Sequence, residues 1–183
     1  VRKWPLVPGI DLAGSVEQSS SPEWKPGDRV VVNGWGLGET LLNLGIARML
    51  AGDWDQVQPN LEEARRIFSN MQDQRLYGAA LLHLGVLARW RGDLAVARRL
   101  IAEALELGKT MGALWVNTTN ELHLALLALD QGDLAAAAGY VAGPEQWQES
   151  GNPHSMATAA GVHALILLVG GDLAEAERVM ETG

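Results

Sequence analysis

The dipeptide Gly-Asp returns at Gly52-Asp53, Gly92-Asp93, Gly132-Asp133 and Gly171-Asp172, at steps of 40, 40 and 39 residues. A fixed period of this length marks a stacked array of short units, none of which can bury its apolar face alone. The dipeptide also says how a unit is built. Glycine just past a helix end takes the left-handed conformation without a side-chain penalty. The aspartate after it can accept from the free amides that open the next helix. Each Gly-Asp therefore predicts the stop of one helix, A, and the start of a second, B. Asp172 followed by Glu175 has the form of a capping box. Leu44, Leu84 and Leu124 each precede a small residue, Gly45, Gly85 and Ala125, where two helices would have to approach closely.

Leu82 to Met111 shows the unit most clearly, and Tyr77 to Lys109 is the most regular copy. In the first copy Leu41 to Ala51 reads as helix A and Asp53 to Asn70 as helix B, with Pro59 expected to kink or delay it. Thr119 to Leu129 is helix A of the third. Its helix B is expected to break near Gly139 and Gly143-Pro144, leaving Glu145 to Glu149 as a short separate turn or helix. The fourth, Ser155 to Met180, lacks the polar capping helix of a terminal repeat. Together with Val1 as the first residue, this reads as a piece of a larger protein.

Residues 1–39 stand outside the period. They are rich in Pro, Gly and Ser, with apolar patches at Asp11 to Gln18 and Arg29 to Trp35, separated by Ser19-Ser20-Ser21-Pro22 and Pro26-Gly27-Asp28. That is strand, turn, strand. The expected fold class is mainly α: a β-rich segment over 1–39, then a helical repeat domain over 40–183 of about three and a half copies.

Bulk properties remove several functions. Lys and Arg number 14 against 22 Asp and Glu, a net charge of −8, which disfavours nucleic acid as a partner. The chain has no cysteine, hence no disulfide, thiolate metal site or cysteine nucleophile, and a reducing cytoplasm is the expected compartment. Ala157 to Leu168 is the greasiest stretch, but His163 interrupts it, so it reads as a buried helix and not a membrane span. No signal peptide is read at the start.

Over about Thr40 to Thr182 the L-G-x6-G-D-(W/L)-x2-A-like pattern resembles tetratricopeptide repeats, of the long-period kind in large bacterial signal-transducing ATPase and LuxR-like regulators. The resemblance implies an α-superhelix whose concave side, lined by the A helices, binds a protein, a peptide or a small effector. It places nucleotide hydrolysis and DNA binding in other domains.

A second resemblance rests on Pro5-Leu6-Val7-Pro8-Gly9-Ile10-Asp11-Leu12-Ala13-Gly14-Ser15-Val16, on Lys25-Pro26-Gly27-Asp28-Arg29-Val30, and on Asn33-Gly34-Trp35-Gly36-Leu37-Gly38-Glu39. These motifs are similar to the catalytic domain of zinc-independent medium-chain dehydrogenases/reductases, in the quinone oxidoreductase and acryloyl-CoA reductase branch. The resemblance implies part of a truncated GroES-like barrel, and ends after Glu39. Ile10 and Asp11 stand where zinc-dependent relatives carry a His-Glu pair, so no catalytic zinc is implied. Gly34, Gly36 and Gly38 do not have the G-x-G-x-x-G spacing of a dinucleotide loop, and no cofactor is expected.

His83 and His123 occupy one repeat position, with His163 close to it. Packed helices lie about 8–10 Å apart whereas zinc ligands lie within about 2.1 Å of the ion, so successive copies would not share a metal. Asp53, Asp93, Asp133 and Asp172 read as helix caps, the alternating carboxylates of a calcium loop being absent. Arg65, Arg66, Arg89, Arg91, Arg98 and Arg99 form either a solvated face paired with Glu62, Glu63 and Glu103 or a dock for an acidic peptide or phosphate. Trp90, Trp115 and Trp147 fit inter-repeat seams as well as partner anchors.

No Ser-His-Asp set, HExxH, Walker loop or carboxylate pair is recognisable. The expected function is that of a non-enzymatic interaction module, with Asn43, His83, Arg89, Trp90, Asn120 and His123 as the partner-binding candidates. One competing expectation is a fragment of an NADPH-dependent reductase. Another is an accidental or engineered fusion joined near Glu39-Thr40.

Overall fold

The computed structural model describes residues 11–19, 22, 24–33, 36–141 and 153–182. Those residues form a mainly helical protein with one short two-stranded sheet. The chain divides into two compact units, Val1–Ala64 and Arg65–Gly183. This division falls inside a helix.

In the first unit, β1 (Asp11–Ser15) pairs antiparallel with β2 (Arg29–Asn33), Asp11 opposite Asn33 and Ser15 opposite Arg29. Before β2, the Asp28 amide donates to the Lys25 carbonyl at 3.0 Å, with Gly27 at φ 94°. Proline at the second place and glycine at positive φ in the third are what a type II turn requires. Helix α1 (Leu37–Ala51) begins four residues before Leu41 and buries Gly38, Leu42, Gly45 and Met49. A β-carbon on Gly45 would stand 2.7 Å from Leu61 Cδ2, so α1 and α2 (Val57–Met71) touch through this glycine. A 3-10 turn, Trp54–Gln56, precedes α2. Pro59 then lies in the first turn of α2, where an amide would have no partner, so it delays the helix without kinking it.

The second unit holds α3 (Gln74–Trp90), α4 (Leu94–Thr110), α5 (Leu114–Asp130), α6 (Leu134–Val141), α7 (Pro153–Gly170) and α8 (Leu173–Thr182). Contacts join α3 to α4, α4 to α5, α5 to α6 and α7 to α8; α7 also lies against α5 and α6, and α3 touches α5. One core cluster takes Leu122, Ala125 and Ala128 from α5, Ala137 and Val141 from α6, and Ala159, Val162 and Ile166 from α7. Gly85 is the contact point of α3 and α4: an added β-carbon would lie 2.5 Å from Ile101 Cγ1 and 3.3 Å from the Ala97 carbonyl. Helix α6 ends at Val141, ahead of Gly143-Pro144. Glu145 to Glu149 lie outside the described residues.

The turns share one geometry. Gly52, Gly92, Gly132 and Gly171 have φ of 76°, 84°, 74° and 91°. In each, the following aspartate amide donates to the carbonyl five residues back, of Arg48, Ala88, Ala128 and Leu167, at 2.9 Å. These bonds satisfy carbonyls that a helix end otherwise leaves open. Two further turns repeat the arrangement without a Gly-Asp signal, through Gln72 (φ 58°) and Gly112 (φ 64°). There the amides of Asp73 and Ala113 reach Phe68 and Gly108 at 3.0 Å.

The aspartates correct one expectation. Asp133 Oδ1 accepts from the Ala136 amide at 2.9 Å and Asp172 Oδ1 from the Glu175 amide at 3.2 Å. Asp53 and Asp93 make no side-chain cap bond. A 3-10 turn follows Asp53, and its carboxylate lies 3.6 Å from Arg48 Nε instead. Asp93 sits at φ −81°, ψ 63°, and the Leu94 amide donates to the Gly92 carbonyl at 2.9 Å. That is an inverse γ-turn, and it engages the first amide of α4 without the side chain.

Candidate functional site

Helices α3 and α5 carry five of the six partner-binding candidates; Asn43 is exposed on α1, in the other unit. Asn120 is 1% exposed, an unusual place for an amide. Its Nδ2 donates to the Val116 carbonyl one turn back at 3.0 Å, while its buried Oδ1 has no hydrogen-bond partner. His123 follows one turn later, and His83 holds the same place on α3. Both are half-buried, and the Nδ1 atom of each is enclosed without a partner.

Burial decides the charge of these imidazoles. It pushes His83 down to about 4, with the nearby His123 as a second cause. Burial likewise pushes His123 down to about 4, and there the guanidinium of Arg89 adds to the effect. Both rings are therefore neutral near pH 7. Among the described residues no three His, Cys, Asp or Glu side chains are grouped to hold a metal.

At the end of α3, Arg89 grips Asp130 at the end of α5 with two parallel bonds, from Nε and, at 3.0 Å, from Nη2. Such a fork holds planar geometry as well as charge. Arg98 of α4 donates to Gln131, the next residue along. Two arginines of one repeat thus fasten the turn that ends helix A of the next, instead of pairing with Glu62, Glu63 or Glu103. Asp130 and Gln131 were not singled out by sequence reasoning, although Asp130 stands 41 residues from Arg89, one repeat on. Glu103 instead accepts from the Tyr77 hydroxyl at 3.3 Å. Trp90, beside Arg89, is 48% exposed. The side chain of Trp115 and all of Trp147 lie outside the described residues.

Chemically, the face offers a half-exposed indole beside a closed ion pair, with a neutral polar interior beneath. An acidic ligand seeking Arg89 would compete with Asp130. Among the described residues no helix is long and apolar enough to cross a membrane.

No protein-family model matches the chain. A short N-terminal stretch is similar to acrylyl-CoA reductase AcuI of Ruegeria pomeroyi, 64% identical over 39 residues, 21% of this chain and 12% of that protein. It is also similar to probable acrylyl-CoA reductase AcuI of Escherichia coli K12, 38% identical over 68 residues, 36% of this chain and 21% of that protein. A 68-residue match cannot be held within residues 1–39, so this likeness runs past Glu39 into the helical part. The chain spans about an eighth to a fifth of the length of these relatives.

Proposed function

We propose that residues 40–183 form a tetratricopeptide-like partner-binding module of a larger regulator, recognising a peptide or protein on the face carried by the A helices. The observation behind this reading is the half-exposed Trp90 set beside the Arg89–Asp130 fork. Tryptophan and arginine dominate the few residues that carry most binding energy in protein interfaces. The common turn geometry and the packing of α3 on α5 and of α5 on α7 support a stacked array beneath it.

The test is selection from a random peptide library on the purified chain. A selected peptide should lose about tenfold in affinity, roughly 1.4 kcal/mol, with Trp90→Ala while the thermal transition stays put. Selection no better than on a blank surface, or indifference to Trp90, would refute the reading.

The 64% identity over 39 residues favours a second reading for the N-terminal segment, as a fragment of an acrylyl-CoA reductase-like enzyme. Oxidation of NADPH by the purified chain, dependent on acrylyl-CoA and above the buffer rate, would establish it.

A further inference from the structure

The face carried by α3 and α5 is short of charge in a chain that is 20% charged. Ala79, His83 and Trp90 on α3, and Thr119, His123 and Leu126 on α5, follow helical spacing and are all at least partly open to solvent. His83 lies near enough to His123 for one imidazole to act on the charge of the other, and Arg89 reaches Asp130, so the two rows border one face. Arg75 stands at the start of that face and the Arg89–Asp130 fork at its end, with no Asp, Glu, Lys or Arg in either row between them. Glu121, the other carboxylate of α5, feels Lys109 of α4 instead. Helix α7, which lies against α5, has no charged residue at all.

The two imidazoles add direction. Each Nδ1 is enclosed without a partner, and a proton there would be a stranded donor, so the neutral rings carry it on Nε2. Since the rings are only half-buried, that N–H is the polar group each offers. Packed helices stand about 8–10 Å apart and an extended chain advances about 3.3 Å per residue, so a strand crossing α3 and α5 meets the second donor about three residues after the first. Backbone carbonyls are the acceptors that any extended polypeptide brings at such intervals.

We infer that this face takes an extended, uncharged segment of a partner polypeptide, its apolar side chains against Trp90 and Leu126 and its backbone carbonyls on His83 and His123. The inference rests on the partner-binding reading above and narrows it. A charged side chain brought here would lose its water without gaining a counter-charge, because Arg89 is already held by Asp130.

The experiment exposes the full chain to three peptide libraries about nine residues long, an extended length of about 30 Å. One is built from Ala, Val, Leu, Ile and Gln; the second adds glutamate at alternate positions and the third lysine. The uncharged library is expected to yield binders about tenfold tighter than either charged one. Their affinity should change less than about twofold between about 0.05 and 0.5 M salt. With the best binder, His83→Phe with His123→Phe should weaken binding about tenfold, whereas His83→Gln with His123→Gln, whose amide nitrogen can stand where Nε2 does, should keep most of it. Circular dichroism checks the fold of both variants, and the library ranking and salt response need neither. Charged binders as tight as the uncharged ones, or binding that salt abolishes, overturn the inference while leaving a partner-binding face in place. Full affinity in the phenylalanine variant, or equal losses in both, overturns it as well. Failure of all three libraries removes the partner-binding reading together with the inference.

Discussion

Gly85→Ala tests the packing argument at its sharpest point. The new methyl group would lie 2.5 Å from Ile101 Cγ1, with Ile101 fully buried and the Ala97 carbonyl 3.3 Å away on the same side. Carbon atoms rest at about 3.5–4.0 Å, so α3 and α4 would have to part by about 1 Å. Overpacking of this kind costs about 1–3 kcal/mol, while replacing a helical glycine by alanine returns about 0.5–1 kcal/mol. The net expectation is a loss of about 1–2 kcal/mol, or a fall in Tm of about 3–6 °C. Gly161→Ala is the matched control: it too lies inside a helix, but an added β-carbon there meets nothing within 4 Å. It should gain about 0.5–1 kcal/mol. Thermal and urea unfolding followed at 222 nm would compare the two, and Gly85→Ala in an Ile101→Ala background should show a favourable coupling above about 0.5 kcal/mol, since the blocking side chain is gone. If Gly85→Ala stabilises the protein as Gly161→Ala does, the close approach of α3 and α4 is not what fixes glycine there.

Acid should weaken the fold through His83 and His123. Both titrate near 4 when folded and near 6.5 when unfolded, so the unfolded chain binds more protons between those values. Their contribution is complete above pH 6.5 and lost as pH falls towards 4, by up to roughly 3 kcal/mol per ring; urea midpoints at pH 7 and 4.5 should differ less in a His83→Gln, His123→Gln variant. Asp133→Ala should cost about 1 kcal/mol through the lost bond to the Ala136 amide, whereas Asp93→Ala, with no such bond, should change the unfolding midpoint little. Gln72 is a non-glycine residue at φ 58°, so Gln72→Gly should raise stability by about 0.5–1 kcal/mol, read from the same unfolding curves.

The period was legible because the turn writes itself in residue types: only glycine reaches positive φ cheaply, so Gly52, Gly92, Gly132 and Gly171 announce helix ends directly. Gln72 carries no such mark, and that turn was hidden although its hydrogen bonds are the same. Helix starts were read late for a related reason. Gln74 and Arg75 open α3 with polar residues, and Ala113 before α5 is not a capping residue type, so that helix, which begins at Leu114, was read only from Thr119. Side-chain capping could not be told from backbone turning at Asp93, since both use the same residue. At the candidate site, His83 and His123 were visible as equivalent positions, but the Arg89–Asp130 fork was not. Helical spacing suggests partners three or four residues away, and this one lies a full repeat along the chain.

From Arg65 to Gly183 the described helices pack on the next helix in sequence or on the one after it. Little chain entropy is spent before a contact forms, the circumstance in which helical proteins fold within microseconds to milliseconds. The same local wiring makes assembly possible during synthesis, each helix meeting its support soon after it leaves the ribosome. It also makes failure gradual: pulled from its ends in a force experiment, such a stretch should unravel in steps of one or two helices, since each contact is lost without waiting for the rest.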